Sequence, residues 1–229
     1  MVAFEHAAAL GYTYLETDVH STRDGQLLAF HDDVLDRVTS SVGSILEASY
    51  ADLRTALIGG REPIPLVADL LEHLPACRFN IDLKSDAAVS GLADLVERTG
   101  AHDRVCVGAF DERRLRAFRR LVSRRVATSY GPVGVGLSRY APRVLAERLL
   151  RGRGDALQVP HRHRGLHIVT RRFLDRAHAA GRPVHVWTID DAEEMELLLD
   201  LGVDGLFTDR TDVLRDVLVR RGQWTGAEA

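Results

Sequence analysis

Short apolar segments rich in Val, Ile, Phe and Tyr alternate along the chain with longer segments of helical periodicity. This alternation is typical of βα units that surround a parallel sheet. The apolar segments predict seven parallel strands, at residues 14–19, 78–84, 104–110, 125–130, 156–160, 183–188 and 205–208. The periodic segments predict helices, at residues 86–99, 112–122, 144–150, 170–180 and 191–201.

One further strand, at residues 27–31, follows the first across only seven residues, "HSTRDGQ". A parallel crossover needs a dozen or more residues, whereas Asp24-Gly25 is a hairpin turn signal. The strand is therefore predicted to run antiparallel to the first one. With the turn centred on Asp24 and Gly25, His31 is expected to lie opposite roughly position 18 and to face the acids of "LETDVH".

Composition indicates a single globular domain that spans residues 1–229. Of these residues 45% are hydrophobic and 28% are charged, and the net charge is −3, which argues against nucleic acid as a partner. No apolar run reaches the length of a membrane span, and no signal peptide is visible. We expect a cytoplasmic protein with Cys77 and Cys106 as reduced core thiols. The sequence leaves open a signal peptide upstream of Met1 and the oligomeric state.

The end of the first predicted strand carries two carboxylates. Glu16 and Asp18 are two residues apart, so their side chains project to the same face of the strand. Two carboxylates on one face repel each other, and a divalent cation with oxygen ligands is a common reason for such a pair. A solvated strand end is the alternative interpretation of an isolated Glu-x-Asp.

The next predicted parallel strand, "FNIDLK", ends with the same spacing of polar residues. Asp82 and Lys84 alternate with apolar Ile81 and Leu83, and active sites of parallel barrels are built at this carboxyl end of the strands. Lys84 is the only lysine in a chain that otherwise uses arginine. An ammonium is a compact charge that fits between an anionic substrate and a metal-bound carboxylate, where a guanidinium would reach further.

The sequence around these residues resembles that of the glycerophosphodiester phosphodiesterase family. The resemblance rests on three segments in order, "GYTYLETDVHSTRDGQLLAFHDDVLDRVT", "FNIDLK" and "VHVWTIDDAEEMELLLDLGVDGLFTDR". They match the family's ExDV…T.DG…HD segment, its N-I-E-x-K strand and its closing W-T…GVDG…TD segment. The resemblance implies an α/β fold, a TIM (β/α)8 barrel of the phospholipase C-like phosphodiesterase type, with a small insertion at about residues 33–75.

The resemblance also implies roles for individual residues. Metal ligands would be Glu16, Asp18 and Asp82, and the cation Ca²⁺ or Mg²⁺; Asp82 stands where the family has glutamate, which shortens the ligand by one methylene. His31 would be one of two catalytic histidines, and Lys84 would contact the phosphate. The substrate would be a small glycerophosphodiester, hydrolysed to sn-glycerol 3-phosphate and an alcohol.

Two further matches lie in the closing segment. Trp187 would lie near the substrate mouth, with a core position as the alternative. Asp209 would cap the last helix or touch substrate.

The chain departs from the family pattern at its beginning. It opens as "MVAFEHAAALGY", which matches a family helix that follows an H-R-G strand and a P-E-N-T loop. Seven parallel strands are also one short of a closed barrel of eight. We therefore expect that the first strand and second histidine lie upstream of Met1, and that the 229-residue form has impaired activity. The alternatives are a lysophospholipase D-like activity and a non-catalytic remnant that binds a phosphodiester or a protein partner.

Three weaker patterns remain. The histidines of "HRHRGLH" (His161, His163 and His167) alternate with arginines, and a solvated loop is the favoured interpretation. "GPVGVGLSRY" lacks the third glycine of a dinucleotide fingerprint. His185 alternates with apolar residues and is expected in the core.

Overall fold

A computed structural model describes residues 1–226 of the chain. The chain divides into two compact units, residues 1–127 and a second unit that begins at Thr128. Among the helices of residues 1–226, none combines the length and the hydropathy that crossing a bilayer requires.

The first unit alternates strands and helices after a helical start. Its helices are α1 (Val2–Ala9), α2 (Tyr50–Leu53), α3 (Val67–His73), α4 (Ala87–Thr99) and α5 (Glu112–Leu121). Its strands are β1 (Tyr14–Ser21), β2 (Leu27–Ala29), β3 (Leu57–Ile58), β4 (Glu62–Pro63), β5 (Arg78–Leu83) and β6 (Val105–Gly108), and β7 (Ala127–Thr128) lies at the boundary. The main sheet has the order β2-β1-β5-β6-β7, with β1, β5 and β6 parallel.

The β1–β2 hairpin has a register different from the predicted one. The antiparallel pairing is confirmed, but Val19 pairs with Ala29, and the Phe30 amide donates to the Asp18 carbonyl at 3.0 Å. The turn contains three residues rather than two, because the Thr22 amide bonds the Gln26 carbonyl and Gly25 adopts a positive φ of 83°. The extra residue places Phe30, not His31, opposite Asp18.

Two apolar clusters stabilise the first unit. The larger lies between the sheet and α3, α4 and α5, and it contains the alternate residues Phe79, Ile81 and Leu83 of β5. The smaller cluster packs Leu28 of β2 and the following Phe30 against the predicted insertion, which contributes residues such as Leu35 and Ile45. Within this insertion a capping box between Ser49 and Asp52 begins α2. The insertion thus has its own small core beside β2, the strand that leads to His31.

The second unit repeats the alternation. Its helices are α6 (Pro132–Tyr140), α7 (Arg143–Leu150), α8 (Arg171–His178), α9 (Ala192–Leu201) and α10 (Thr211–Arg220). Its strands are β8 (Leu157–Pro160), β9 (Arg162–His163), β10 (Leu166–His167), β11 (Val184–Trp187) and β12 (Gly205–Leu206). Strands β12, β11 and β8 form a parallel sheet in that order.

Two parts of the second unit correct the sequence predictions. The histidine-rich segment is a β9–β10 hairpin rather than a loop, because Arg164 and Gly165 both adopt positive φ and form a tight two-residue turn. Helix α6 was not predicted, because its two glycines obscure the helical pattern. Pro132 at its first turn favours helix initiation, and a Cβ at Gly134 would lie 2.9 Å from the Tyr130 ring.

Arg104 joins α3 to the strands of the first unit. Its guanidinium donates to the carbonyls of Leu71, Leu74 and Cys77 at 2.8–3.1 Å. Because these carbonyls include the unpaired ones at the end of α3, we expect Arg104→Met to lower the free energy of unfolding by about 2–3 kcal/mol. Urea unfolding would measure the difference. Exposed Arg98→Met is the matched control, and an equal loss in both variants would contradict a specific role for Arg104.

Candidate active site

Two strand ends of the first unit place carboxylates side by side. In the parallel pairing of β1 with β5, Asp18 lies beside Asp82 and Glu16 beside Asn80. Asp18 and Asp82 are partly buried, whereas Glu16 is exposed. The apolar alternate residues of both strands lie in the core, which is why the polar residues share the opposite face. The pairing therefore brings together two of the three predicted metal ligands.

Lys84 bridges the two aspartates. Its Nζ lies 2.8 Å from Asp18 Oδ1 and 2.8 Å from Asp82 Oδ2. Burial disfavours the ammonium, but the hydrogen bonds to both carboxylates outweigh burial, so the pKa of Lys84 is raised above its usual value. Lys84 is consequently charged at neutral pH and neutralises part of the repulsion between the two acids.

Arg114 holds the backbone that carries Lys84. Its Nη1 donates to the carbonyls of Leu83 and Lys84, at 3.0 and 2.8 Å, and its Nε donates to Asp86 at 2.6 Å. These bonds satisfy carbonyls that lie at and beyond the end of β5. The guanidinium from α5 thus fixes the point at which the only lysine leaves the strand.

His31 belongs to a charged group on the loop after β2. Its Nδ1 lies 2.6 Å from Asp32 Oδ1. Arg37 donates two hydrogen bonds to the same carboxylate, from Nε to Oδ2 at 2.6 Å and from Nη2 to Oδ1 at 3.0 Å. The hydrogen bond from Arg37, and then that from His31, holds the pKa of Asp32 far below its usual range. His31 is 67% exposed at its side chain. The carboxylate orients the ring through Nδ1, so Nε2 is the nitrogen directed away from Asp32.

His20 is a site residue that sequence reasoning missed. It follows Asp18 by two residues on β1 and therefore continues the row of Glu16 and Asp18. His20 is buried, and its Nε2 lies 3.1 Å from the carbonyl oxygen of His31. Burial lowers its pKa, with smaller opposing contributions from the His31 carbonyl and nearby acids. A neutral His20 thus fixes the backbone of His31, and the alternation of polar residues along β1 was the signal for it.

The predicted residues of the closing segment lie in the second unit. Trp187 ends β11 and is half-buried, so its part in substrate binding stays a prediction. Asp209 does not cap α10, because that helix begins after Arg210 and has no side-chain cap bond. Asp190 organises this turn instead and accepts hydrogen bonds from the Thr208 hydroxyl and the Asp209 amide. His185 is partly buried, and burial lowers its pKa.

The second unit holds another histidine–carboxylate pair that the sequence did not predict. Buried His161 follows β8 and hydrogen-bonds through Nδ1 to Glu194 in the first turn of α9. The ring centroids of His161 and His167 are 5.5 Å apart. The sequence pattern could place these two histidines together, but Glu194 comes from a distant segment.

We expect Arg37→Gln to raise the pKa of Asp32 toward about 3.9, the ordinary value for aspartate. A carboxylate whose pKa is lowered by folding stabilises the protein above its unfolded-state pKa, and this stabilisation is lost as the pH falls. The wild type should therefore exceed the variant in stability at neutral pH, with the gap closing in acid. NMR titration of Asp32 and thermal unfolding across pH measure both effects. Exposed Arg23→Gln is the control, and an unchanged Asp32 titration in Arg37→Gln would contradict the assignment.

Comparisons with known proteins identify the family. The glycerophosphoryl diester phosphodiesterase family matches residues 1–213. The chain belongs to this family. A Mycobacterium tuberculosis protein named "Probable glycerophosphodiester phosphodiesterase 2" is 43% identical over 99% of this chain and 87% of its own length. A Homo sapiens lysophospholipase D is 27% identical over 95% of this chain and 81% of its own length.

Solved structures support the fold. A glycerophosphodiester phosphodiesterase from Parabacteroides distasonis aligns with a TM-score of 0.75, at 23% identity, over 96% of this chain and 89% of its own. An Oleispira antarctica phosphodiesterase, solved with the product sn-glycerol-3-phosphate, aligns with a TM-score of 0.80 at 21% identity, over 94% and 89% of the two chains. The predicted family, fold class and phosphoric diester hydrolase class are confirmed.

Enzymes of this family generally depend on a divalent metal ion. The donor chemistry of the site fits such an ion, because carboxylate oxygens are the preferred ligands of hard divalent cations. Across residues 1–226, however, no three Asp, Glu, His or Cys side chains converge on one point. Between Asp18 and Asp82 the Lys84 ammonium provides the positive charge. Metal binding would therefore require the ammonium to shift away from at least one carboxylate.

Proposed function

We propose that this chain hydrolyses glycerophosphodiesters to sn-glycerol 3-phosphate and an alcohol. The observation that carries the proposal is the Asp18–Lys84–Asp82 cluster at the ends of adjacent parallel strands, in a member of a phosphodiesterase family. Opposite charges at strand ends suit a phosphodiester, whose anionic oxygens need neutralisation as the reaction proceeds. The name of the relative at 43% identity, "Probable glycerophosphodiester phosphodiesterase 2", supports the same substrate class.

Glu16, Asp18 and Asp82 would hold the divalent cation, Ca²⁺ or Mg²⁺. The ion would supply Lewis acidity toward a phosphate oxygen and an adjacent hydroxyl. Lys84 would bind a phosphate oxygen once its ammonium is released from the carboxylates. Its charge at neutral pH and its position beside both acids support this role.

His31 would move the proton that the reaction requires. With Nδ1 engaged by Asp32, the free Nε2 can accept a proton from the nucleophilic hydroxyl or donate one to the leaving alcohol. The exposure of the His31 side chain allows contact with a substrate. Asp32 and Arg37 would act through His31, by fixing the orientation of its ring.

The direct test is release of glycerol 3-phosphate from glycerophosphocholine and glycerophosphoethanolamine, and of lysophosphatidic acid and choline from lysophosphatidylcholine, with Mg²⁺ or Ca²⁺ and after chelation by EDTA. We expect turnover of the two water-soluble diesters and its loss on chelation. Turnover of lysophosphatidylcholine alone would favour a lysophospholipase D-like activity, as in the human relative. Binding without turnover of any substrate would favour the non-catalytic alternative.

Replacement of Lys84 separates metal binding from catalysis. Because the ammonium competes with a cation for Asp18 and Asp82, we expect Lys84→Met to bind Mg²⁺ or Ca²⁺ about tenfold more tightly. The same variant should lose about 10²-fold in kcat, because a positive charge on the phosphate is removed. Isothermal titration calorimetry and the hydrolysis assay measure the two effects. Weaker metal binding in Lys84→Met, with normal binding in an exposed control such as Arg98→Met, would contradict the proposed competition.

A further inference from the structure

The outward face of α7 carries large aliphatic side chains. Val144 is 80% exposed, Leu145 45% and Leu149 38%, while Ala146 and Leu150 are buried beneath them. Positions 145 and 149 are one helical turn apart, so Leu145 and Leu149 form an apolar stripe, and Val144 is exposed at the start of the same helix. Single exposed aliphatic residues are ordinary, but a stripe on a short helix indicates an interaction surface.

The stripe continues onto the neighbouring elements. Tyr140, at the end of α6, is 70% exposed, and Leu166, on the β9–β10 hairpin, is 64% exposed. Arg139 links the two elements, because its Nη2 donates to the His167 carbonyl at 2.8 Å and its Nε donates to the Tyr140 hydroxyl at 3.0 Å. Tyr140 and the hairpin are therefore held close together.

The segment that carries these apolar residues is rich in arginine. Residues 132–178 contain ten arginines and only three acids, Glu147, Asp155 and Asp175, in a chain whose net charge is −3. Exposed arginines lie on α7, on the loop after it, on the hairpin and on α8, and they include Arg148, Arg151, Arg162, Arg164 and Arg172. The exposed aliphatic side chains thus lie in a segment of net positive charge within an acidic protein.

We propose that the α6–α7 face docks on an anionic lipid surface. This face is defined by its exposed apolar residues and the arginines between and beside them, namely Tyr140, Val144, Leu145, Arg148, Leu149, Arg151, Arg162, Arg164 and Leu166. Aliphatic side chains enter the boundary between headgroups and acyl chains, and arginines pair with lipid phosphates around them. A polyanion without apolar groups would complement the arginines but would leave the aliphatic stripe in water.

A second basic surface provides an internal comparison. On α5, Arg113, Arg116 and Arg120 surround Ala117 and enclose a shallow depression of about 270 Å³. These arginines can attract any polyanion, and Leu121, 52% exposed at the end of α5, is the large aliphatic side chain beside them, so this surface is less apolar than the α6–α7 face. Lipid docking at the α6–α7 face should therefore need its aliphatic residues, whereas diffuse electrostatic attraction should need only arginines. The proposal rests on this surface chemistry and not on the proposed catalytic activity.

The experiment is co-sedimentation of the protein with vesicles of phosphatidylcholine, with and without phosphatidylglycerol, at low and physiological ionic strength. Two triple variants test the face: Val144→Ser/Leu145→Ser/Leu149→Ser and Arg148→Gln/Arg151→Gln/Arg162→Gln. The matched controls are Leu197→Ser/Val219→Ser, at exposed aliphatic positions of α9 and α10, and Arg113→Gln/Arg116→Gln/Arg120→Gln on α5. All substituted residues are exposed, and circular dichroism checks that each variant folds.

We expect the wild type to bind phosphatidylglycerol vesicles, and each face variant to bind on the order of tenfold more weakly, with both controls near the wild type. Hydrolysis of glycerophosphocholine, a soluble diester, should remain unchanged in the face variants, so vesicle binding and catalysis can fail separately. The proposal is overturned if the wild type does not bind, if the aliphatic variant binds as well as the wild type, or if the α5 control loses binding equally. Binding to polyglutamate as strong as that to vesicles would also overturn it, in favour of an acidic partner.

Discussion

The Asp18→Asn variant is expected to hydrolyse glycerophosphodiesters on the order of 10³-fold more slowly than the wild type. Asparagine keeps the shape of the side chain but removes the charge that would bind the metal ion. Asp18 lies at the centre of the cluster, between Glu16 on its own strand and Asp82 on the next one. Lys84 Nζ, 2.8 Å from each aspartate, would keep only one anionic partner.

The control for this variant is Asp94→Asn, at an exposed aspartate of α4. Calorimetry should show weaker Mg²⁺ or Ca²⁺ binding in Asp18→Asn, and thermal unfolding should show that the fold is retained. Hydrolysis within tenfold of the wild type would exclude Asp18 as a required ligand. Lost hydrolysis with unchanged metal affinity would assign Asp18 to the positioning of Lys84 instead.

Local sequence patterns were sufficient for most of the fold. Each of the seven predicted parallel strands contains an observed strand, because buried strands need apolar runs whatever their partners. The register of the β1–β2 hairpin was not predictable from the Asp24-Gly25 signal alone. That pair is compatible with a two-residue turn or with a three-residue turn that ends at Gly25, and the Thr22–Gln26 pairing selects the latter. A shift of one residue changes which side chain faces Asp18.

The site could be predicted only where its residues share one strand. A strand has a two-residue period, so residues two apart share one face. This rule predicted the pair Glu16 and Asp18 on β1 and the pair Asp82 and Lys84 at the end of β5. The pairing of Asp18 with Asp82 depends on which strands are neighbours, and it was the family resemblance that placed the two acids in one site. Arg37 reaches Asp32 across an irregular loop, and Arg114 reaches the end of β5 from α5. Contacts of this kind have no periodic signal in the sequence.

The His31→Gln variant is expected to lose about 10²–10⁴-fold in kcat, the usual contribution of a positioned acid or base. Glutamine keeps a polar side chain near Asp32 but cannot exchange a proton at neutral pH. The control is His6→Gln, at an exposed histidine of α1. Metal affinity should be unchanged in both variants, because His31 contacts Asp32 and not the Asp18–Lys84–Asp82 cluster. A His31→Gln enzyme with normal kcat would remove His31 from the mechanism.

A second substrate distinguishes the two roles open to His31. The leaving alcohol of glycerophosphocholine needs a proton as the phosphorus–oxygen bond breaks, whereas p-nitrophenolate leaves without one. If His31 is the general acid, His31→Gln should hydrolyse glycerophospho-p-nitrophenol nearly as well as the wild type does. If His31 is the general base, both substrates should be affected equally, because the nucleophilic hydroxyl must lose its proton in either case. The ratio of the two losses therefore assigns the role of His31, and equal losses would contradict a general acid.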